Sequence, residues 1–359
     1  MLSPRIKRTI TRILPFGIIW LLTGWVFLFI ETSALNNVEQ TSNTAIQVDY
    51  RVFIFASLAV LIVGFLVGLL ELLLFRRLFY NYSFLKRLLY KMLLYGIFLQ
   101  VIITIAFPIA AGIEMHTSAW HPQVWDRFFS FLQSSTYIST MFQMVVTLFL
   151  CLFYDEISDH VGRAVIYKFF TGKYHRPVEE RRIFMFLDMK SSTTIAEQLG
   201  HLAYFRFLKQ YYKDLSEAVI NNEGEVYQYV GDELVVSWKL NTVNSSRWIH
   251  CFYEMQAKLG TKASWYEEHF KTRPHFKAGF HAGRVTAGEI GVIKKEILYT
   301  GDVINATARI QALCNTYDVN LIVSETLIQN LPPAYEPVSL GKVTLRGQSR
   351  EMALYTIKS

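Results

Sequence analysis

Cysteine is scarce in this chain: three in 359 residues, Cys151, Cys251 and Cys314. They are odd in number and far apart, and Cys151 lies inside an apolar run, so neither a disulfide framework nor a cysteine-based zinc site is encoded. This usage suits a reducing cytosol for the C-terminal half. Charge is thin as well, 18% of residues against 52% hydrophobic. Such a balance excludes an ordinary soluble protein throughout. The formal net charge of +7 does not point to nucleic acid, because much of the basic excess sits in short segments beside apolar runs, where the positive-inside rule accounts for it. Ionisable residues within those runs are few, which argues against a channel or transporter.

What is present is divided unequally. Nearly all long apolar runs precede Tyr154, while the sequence after Val178 reads as a globular domain. Four runs, 13–30, 52–70, 92–113 and 135–154, approach the roughly 20 helical residues a bilayer requires. Glu71 follows the second, the third contains Gln100 and Pro108, and Gln143 with several hydroxyls interrupts the fourth. Arg5, Lys7, Arg8 and Arg12 precede the first run, and Arg76, Arg77, Lys86, Arg87 and Lys91 separate the second from the third. The connections 31–51 and 114–134 are poor in Lys and Arg. Both termini are therefore expected in the cytoplasm, with the chain multi-pass in the cell (inner) membrane. A cleaved signal peptide ending near Thr32-Ser33-Ala34 is the alternative for the first run, and it leaves the C-terminal half on the same side.

The expected organisation is a four-helix transmembrane domain, 1–154, a helical connector, 155–178, and a soluble α+β domain, 179–359. The connector ends at Gly172 and Pro177 and serves as an inert linker or a signal-transmitting helix. In the soluble part a strand over 183–187 leads to Asp188. A helix follows, opened by Thr194 with Glu197 three residues on in a capping-box pattern, and then a long amphipathic helix over 203–221. Residues 225–230 and 233–238 alternate as two hairpin arms around Gly231-Asp232. A helix over 247–269, a strand over 275–281, a helix over 303–313, a strand over 320–324 and a hairpin over 341–357 complete an α+β sandwich on a mostly antiparallel sheet.

Three short elements carry chemistry. In Phe186-Leu187-Asp188-Met189-Lys190-Ser191-Ser192-Thr193, a strand-end carboxylate precedes small residues opening a helix. The carboxylate suits Mg²⁺ and the helix N–H groups suit a triphosphate. In Tyr229-Val230-Gly231-Asp232-Glu233, the turn exposes a second carboxylate, and two such acids can hold a pair of Mg²⁺ ions about 4 Å apart for in-line phosphoryl displacement. In Tyr299-Thr300-Gly301-Asp302-Val303-Ile304-Asn305-Ala306-Thr307-Ala308-Arg309, Asn305 and Arg309 share a helix face. That arginine can neutralise a phosphorus transition state while the asparagine holds a ribose. Singly, each element has an ordinary structural reading: a capping Asp, a turn Asp, a solvated helix face.

Together and in this order, the three resemble the class III adenylyl and guanylyl cyclases over about residues 180–359. The resemblance implies that Asp188 and Asp232 hold two Mg²⁺ (or Mn²⁺) ions per active site, with the Met189 carbonyl as a further ligand. It implies that Ser191, Ser192 and Thr193 wrap the phosphates, that Arg284 and, more loosely, Arg346 contact the terminal phosphates, and that Asn305 and Arg309 form the transition-state pair. It also implies a head-to-tail homodimer with Asp188, Asp232 and Arg284 from one chain and Asn305 and Arg309 from the other. The reaction implied is attack of the ribose 3′-oxygen on the α-phosphorus. Two base-reading positions depart from the family's pattern: Gln228 stands where many adenylyl cyclases have Lys, and Leu298 where they have Asp or Thr. Gln can donate and accept toward either purine. The guanylyl-type Glu is absent too, so ATP is the expected substrate, with GTP the alternative. A diguanylate cyclase of the GGDEF type is a poor match, lacking counterparts of Asn305 and Arg309, and a silent nucleotide-sensing module is disfavoured because both metal acids are kept.

Overall fold

A computed structural model describes residues 3–36, 49–79, 82–240, 246–329, 331–346 and 350–358. The chain divides mainly into two compact units, Ile6–Ile166 and Tyr167–Ser359.

Among the described residues of the first unit, four helices are long and apolar enough to cross a membrane. They are α1 (Pro4–Asn36), α2 (Tyr50–Leu70), α3 (Phe84–Glu114) and α5 (Ser135–Val161). The α2 helix runs on through a π-helical turn at Glu71–Phe75. Close approach of α1 and α2 is set by glycine: a Cβ on Gly64 would lie 2.9 Å from the Gly17 Cα. Small residues at such crossings let backbones touch where no hydrophobic effect drives association. Gln100 is satisfied by the Tyr137 hydroxyl, which donates to its Oε1 at 2.7 Å. No element is predicted over 114–134, but the structure places an amphipathic helix there, α4 (Pro122–Leu132), burying Val124, Phe128 and Phe131. A second finding is an internal ion pair: Lys91 donates to Glu71, and Tyr95 donates to the Val67 carbonyl at 3.1 Å and to Glu71 Oε2 at 3.3 Å. The fourth helix extends past 154 to Val161 and stops at Gly162, after which α6 (Arg163–Phe170) forms the connector.

The second unit is built on an eight-stranded sheet in the order β2-β3-β1-β4-β6-β8-β7, with β5 on β4. The strands are β1 (Val178–Met189), β2 (Glu225–Val230), β3 (Glu233–Lys239), β4 (Phe276–Ile290), β5 (Glu296–Thr300), β6 (Leu321–Ser324), β7 (Glu336–Thr344) and β8 (Glu351–Lys358). All pairs are antiparallel except β4 with β6, so the expected mostly antiparallel α+β fold is the one observed. Alternation along β1 divides the core between two faces. Ile183, Met185, Leu187 and Met189 join one cluster with α8 (His201–Asn221) and α9 (Arg247–Thr261). Phe184 and Phe186 join the other with Val303 of α11 (Asp302–Ala312).

Several boundaries differ from expectation. β1 begins at Val178, not 183: it is a central strand between β3 and β4, where Glu180 pairs with Lys173 and Arg182 with Glu180 and Glu225. The helix expected over 247–269 breaks at Lys262 into α9 and α10 (Ala263–Phe270). β4 continues past the expected end at 281, from Phe276 through Gly279, Gly283 and Gly288 to Ile290, and pairs there with β5, where no strand is predicted. Those glycines admit close neighbours: a Cβ on Gly279 would lie 2.4 Å from the Gln311 backbone nitrogen of α11.

Candidate active site

Asp188 is the second-last residue of β1, opposite Lys277 of β4. The next strand over, β3, leaves the two-residue turn Gly231-Asp232 directly beside it. Gly231 has φ +61°, a conformation that side chains disfavour. Tyr212 of α8 pins the turn, its hydroxyl donating to the Gly231 carbonyl at 2.8 Å. The two expected metal carboxylates are thus brought together. Asp188 is half-buried, and burial first, then the adjacent Asp232, raises its pKa above the ordinary value, with Lys277 partly offsetting both. Glu233 is raised by burial and by the same two acids.

Sequence reasoning missed two groups at this centre. Lys277 Nζ lies 3.2 Å from Asp188 Oδ2 and donates to Asn315 Oδ1 at 3.0 Å. Gln311 Nε2 donates to Asp188 Oδ2 at 3.4 Å. A strand register predicted to residue 277 would have found the lysine.

The Met189 side chain is buried in the core, which leaves only its backbone carbonyl for ligation. Ser191 follows at φ 55°, a left-handed turn at the N-cap of α7 (Ser192–Leu199). This corrects the capping box: the helix starts two residues before Thr194, and no side chain caps it. The tight turn lets the chain enter the helix early. With no side-chain cap, the first-turn N–H groups, those of Ser192 and Thr193 among them, stay open to an anion.

Asn305 and Arg309 lie on α11, exposed and partly exposed respectively. Arg309 Nη1 donates to the Arg346 carbonyl, so these two expected residues meet. At 100° per residue, Arg309 and Gln311 stand about 200° apart around α11. The helix therefore turns Gln311 toward Asp188 and carries Arg309 away from it. Arg284 is exposed on β4, opposite Arg181 of β1. The unbroken β1–β4 register puts it seven residues from Lys277, about 23 Å along the strand and on the other face. Gln228 is exposed on the edge strand β2, and Leu298 is half-buried on β5. One chain thus shows two groups, the acids with the phosphate turn and the Asn305/Arg309/Arg346 cluster.

Among the described residues, no group of three or more His, Cys, Asp or Glu could hold a metal ion. The available donors are two facing carboxylates and a backbone carbonyl. Like charges held that close favour a cation between them, and hard oxygen donors in this number suit Mg²⁺, which keeps waters and substrate phosphates as remaining ligands.

The fold is that of nucleotidyl cyclase domains. A bacterial light-regulated adenylyl cyclase superposes with a TM-score of 0.50 at 17% identity, covering 62% of this chain and 64% of that one. Residues 176–359 match the adenylate and guanylate cyclase catalytic domain, and the chain belongs to that family. It is 30% identical to adenylate cyclase 2 of Rhizobium meliloti (strain 1021), over 57% of this chain and 58% of that protein. It is 26% identical to human retinal guanylyl cyclase 2, over 48% of this chain and 16% of that protein. The chain thus spans little more than half the length of the first relative and much less of the second.

Proposed function

We propose that this chain is a membrane-anchored adenylate cyclase that converts ATP to 3′,5′-cyclic AMP and pyrophosphate on the cytoplasmic face of the inner membrane. The observation that carries the reading is the facing of Asp188 and Asp232 beside an uncapped helix N-terminus. In this reading Asp188, Asp232 and the Met189 carbonyl hold two divalent cations, Mg²⁺ or Mn²⁺. Bound there, the cations would favour the ribose 3′-oxyanion and hold charge on the departing pyrophosphate. The turn Ser191–Ser192–Thr193 cradles the phosphates, with Arg346 as a further cation for them; Arg284, about 23 Å along β4 from Lys277 and on the other face, is left out of that cradle. Asn305 orients the ribose, and Arg309 neutralises charge at the α-phosphorus.

The outward face of α11 supports assembly in a head-to-tail homodimer. Asn305 and Arg309 point away from their own chain's acids, so a second chain is needed to bring the two groups together. Gln228 and Leu298 face the base. ATP is favoured over GTP because neither position carries the acid used to read guanine. The test is purified full-length protein with Mg²⁺ or Mn²⁺ and each nucleoside triphosphate in turn, followed by chromatography of the products. Cyclic AMP with equimolar pyrophosphate is expected. Cyclic GMP in excess would transfer the proposal to guanylate cyclase, and nucleotide binding without product would leave a silent sensing module.

A further inference from the structure

Arg182 is fully buried in the second unit, 0% exposed, on the β1 face that also bears Phe184. A guanidinium so placed needs all its donors satisfied. Its Nε donates to Glu180 Oε2 at 2.8 Å, its Nη1 to Ser237 Oγ at 2.9 Å and both terminal nitrogens to Glu225 Oε2 at 3.2 Å. The cation lies 4.7 Å from the centre of the Tyr299 ring. Burial alone would raise both acids, but Lys173 and Arg182 hold Glu180 down at about 2, and Arg182 with Lys168 lowers Glu225.

The node reaches both strands of the proposed base pocket. In β2 the pairing passes from Val226↔Val236 to Gln228↔Val235, leaving Tyr227 as the extra residue of a bulge. Bulges re-aim neighbouring side chains and gather beside active sites. The Tyr227 hydroxyl accepts the Tyr299 N–H at 3.4 Å, and the two rings meet at 5.0 Å, edge to face. Strands β2 and β5 are not neighbours in the sheet, so these tyrosines span it. Each adjoins a base-facing position: Tyr227 precedes Gln228, and Tyr299 follows Leu298.

The same acids bind the connector. Lys168 of α6 pairs with Glu225 at 2.9 Å, Lys173 with Glu180 at 2.5 Å, and the Tyr174 hydroxyl donates to Glu180 at 3.0 Å. The Tyr174 carbonyl accepts the Glu289 N–H at 3.0 Å.

We propose that Arg182, Tyr227 and Tyr299 are positioning residues that fix the separation of Gln228 and Leu298, and that Lys168, Lys173 and Tyr174 place that separation under the control of the connector. Displacing the connector then changes which base is accepted, and how tightly, more than it changes the chemical step. The inference rests on the reading of Gln228 and Leu298 as base-facing.

The experiment measures kcat and KM for ATP and GTP on the full chain in membranes, comparing Tyr227→Phe, Lys168→Met and Gln228→Ala. The first removes one acceptor and keeps the ring, and the second removes one charge from the connector. Each is expected to shift the ATP-to-GTP ratio of kcat/KM by about three- to tenfold, the range one lost hydrogen bond commands. The shift should appear in KM, with kcat on the better nucleotide nearly kept. Arg182→Lys should retain more of the ratio than Arg182→Met. A ratio moved by Gln228→Ala but by neither of the other two overturns the node and leaves the base reading standing. A ratio moved by Tyr227→Phe but not by Lys168→Met overturns the coupling to the connector. If Gln228→Ala also leaves the ratio unmoved, the base reading falls and the node with it. Equal loss of kcat on both nucleotides with lowered thermal stability marks a merely structural role and overturns the proposal.

Discussion

Replacing Gly279 by alanine tests how α11 is seated on the sheet. The added Cβ would stand 2.4 Å from the Gln311 nitrogen, 2.7 Å from its Cα and 2.9 Å from its Cβ. Two of these are backbone atoms, so no rotamer change relieves the contact. Restoring ordinary contact near 3.5 Å requires the helix to move by about 1 Å. Overpacking of this kind costs about 1–3 kcal/mol. The displacement also acts on function, because α11 carries Gln311 on the Asp188 side and Asn305 and Arg309 on the other. A misplacement of about 1 Å in catalytic groups commonly costs on the order of a hundredfold in rate. Thermal unfolding of the detergent-solubilised chain and initial-rate cyclase kinetics on the same sample give both quantities. The expected result is a lowered Tm and a kcat reduced by one to two orders of magnitude. An alanine variant with unchanged Tm and unchanged kcat would refute the close seating of α11 on β4.

Other perturbations have equally definite outcomes. His281 is buried, with Nδ1 2.7 Å from Ser324 Oγ, and burial lowers its pKa from 6.5 to about 4. The unfolded chain binds this proton first as pH falls, so about 3 kcal/mol of stability, present above pH 6.5, is lost between there and pH 4. Chemical denaturation across that window should show the slope, and His281→Gln should flatten it. In the membrane unit, Lys91→Met alone leaves Glu71 buried and unpaired, costing about 3–5 kcal/mol, whereas the double variant with Glu71→Gln should recover much of it. A double-mutant cycle on thermal stability measures the coupling, and additive losses would contradict the pair. Asp188→Asn and Asp232→Asn should each abolish turnover while leaving the fold intact by circular dichroism, and near-normal activity in either would remove the proposed metal site.

The spans were legible because an apolar run of bilayer length has few other uses, and the acids were legible because a strand-end Asp and a Gly-Asp turn are local features. What escaped notice depends on partners distant in sequence. Arg182 sits in Glu179-Glu180-Arg181-Arg182, which reads as solvated, yet the central position of β1 buries it against Glu225 and Ser237. Lys277 meets Asp188 only through the β1–β4 register, and Gln311 only because Gly279 lets α11 approach. The α4 helix, amphipathic and short, gave no span signal, and β5 became a strand by pairing with an unexpectedly long β4. The α7 cap was misplaced because Thr194 and Glu197 fit a local pattern that the left-handed turn at Ser191 pre-empts.

Co-expression of two inactive chains tests most directly the claim that this is a cyclase whose site is shared between protomers. Asp188→Ala and Arg309→Ala should each be inactive alone, since each breaks both sites of its own homodimer. In a heterodimer one site draws Asp188 from the arginine variant and Arg309 from the aspartate variant, while the other carries both lesions. Random pairing makes half the dimers mixed, each with one intact site, so cyclic AMP synthesis should return to about a quarter of the unmutated level. Co-expressed chains that demonstrably pair yet remain as inactive as either alone would contradict the account.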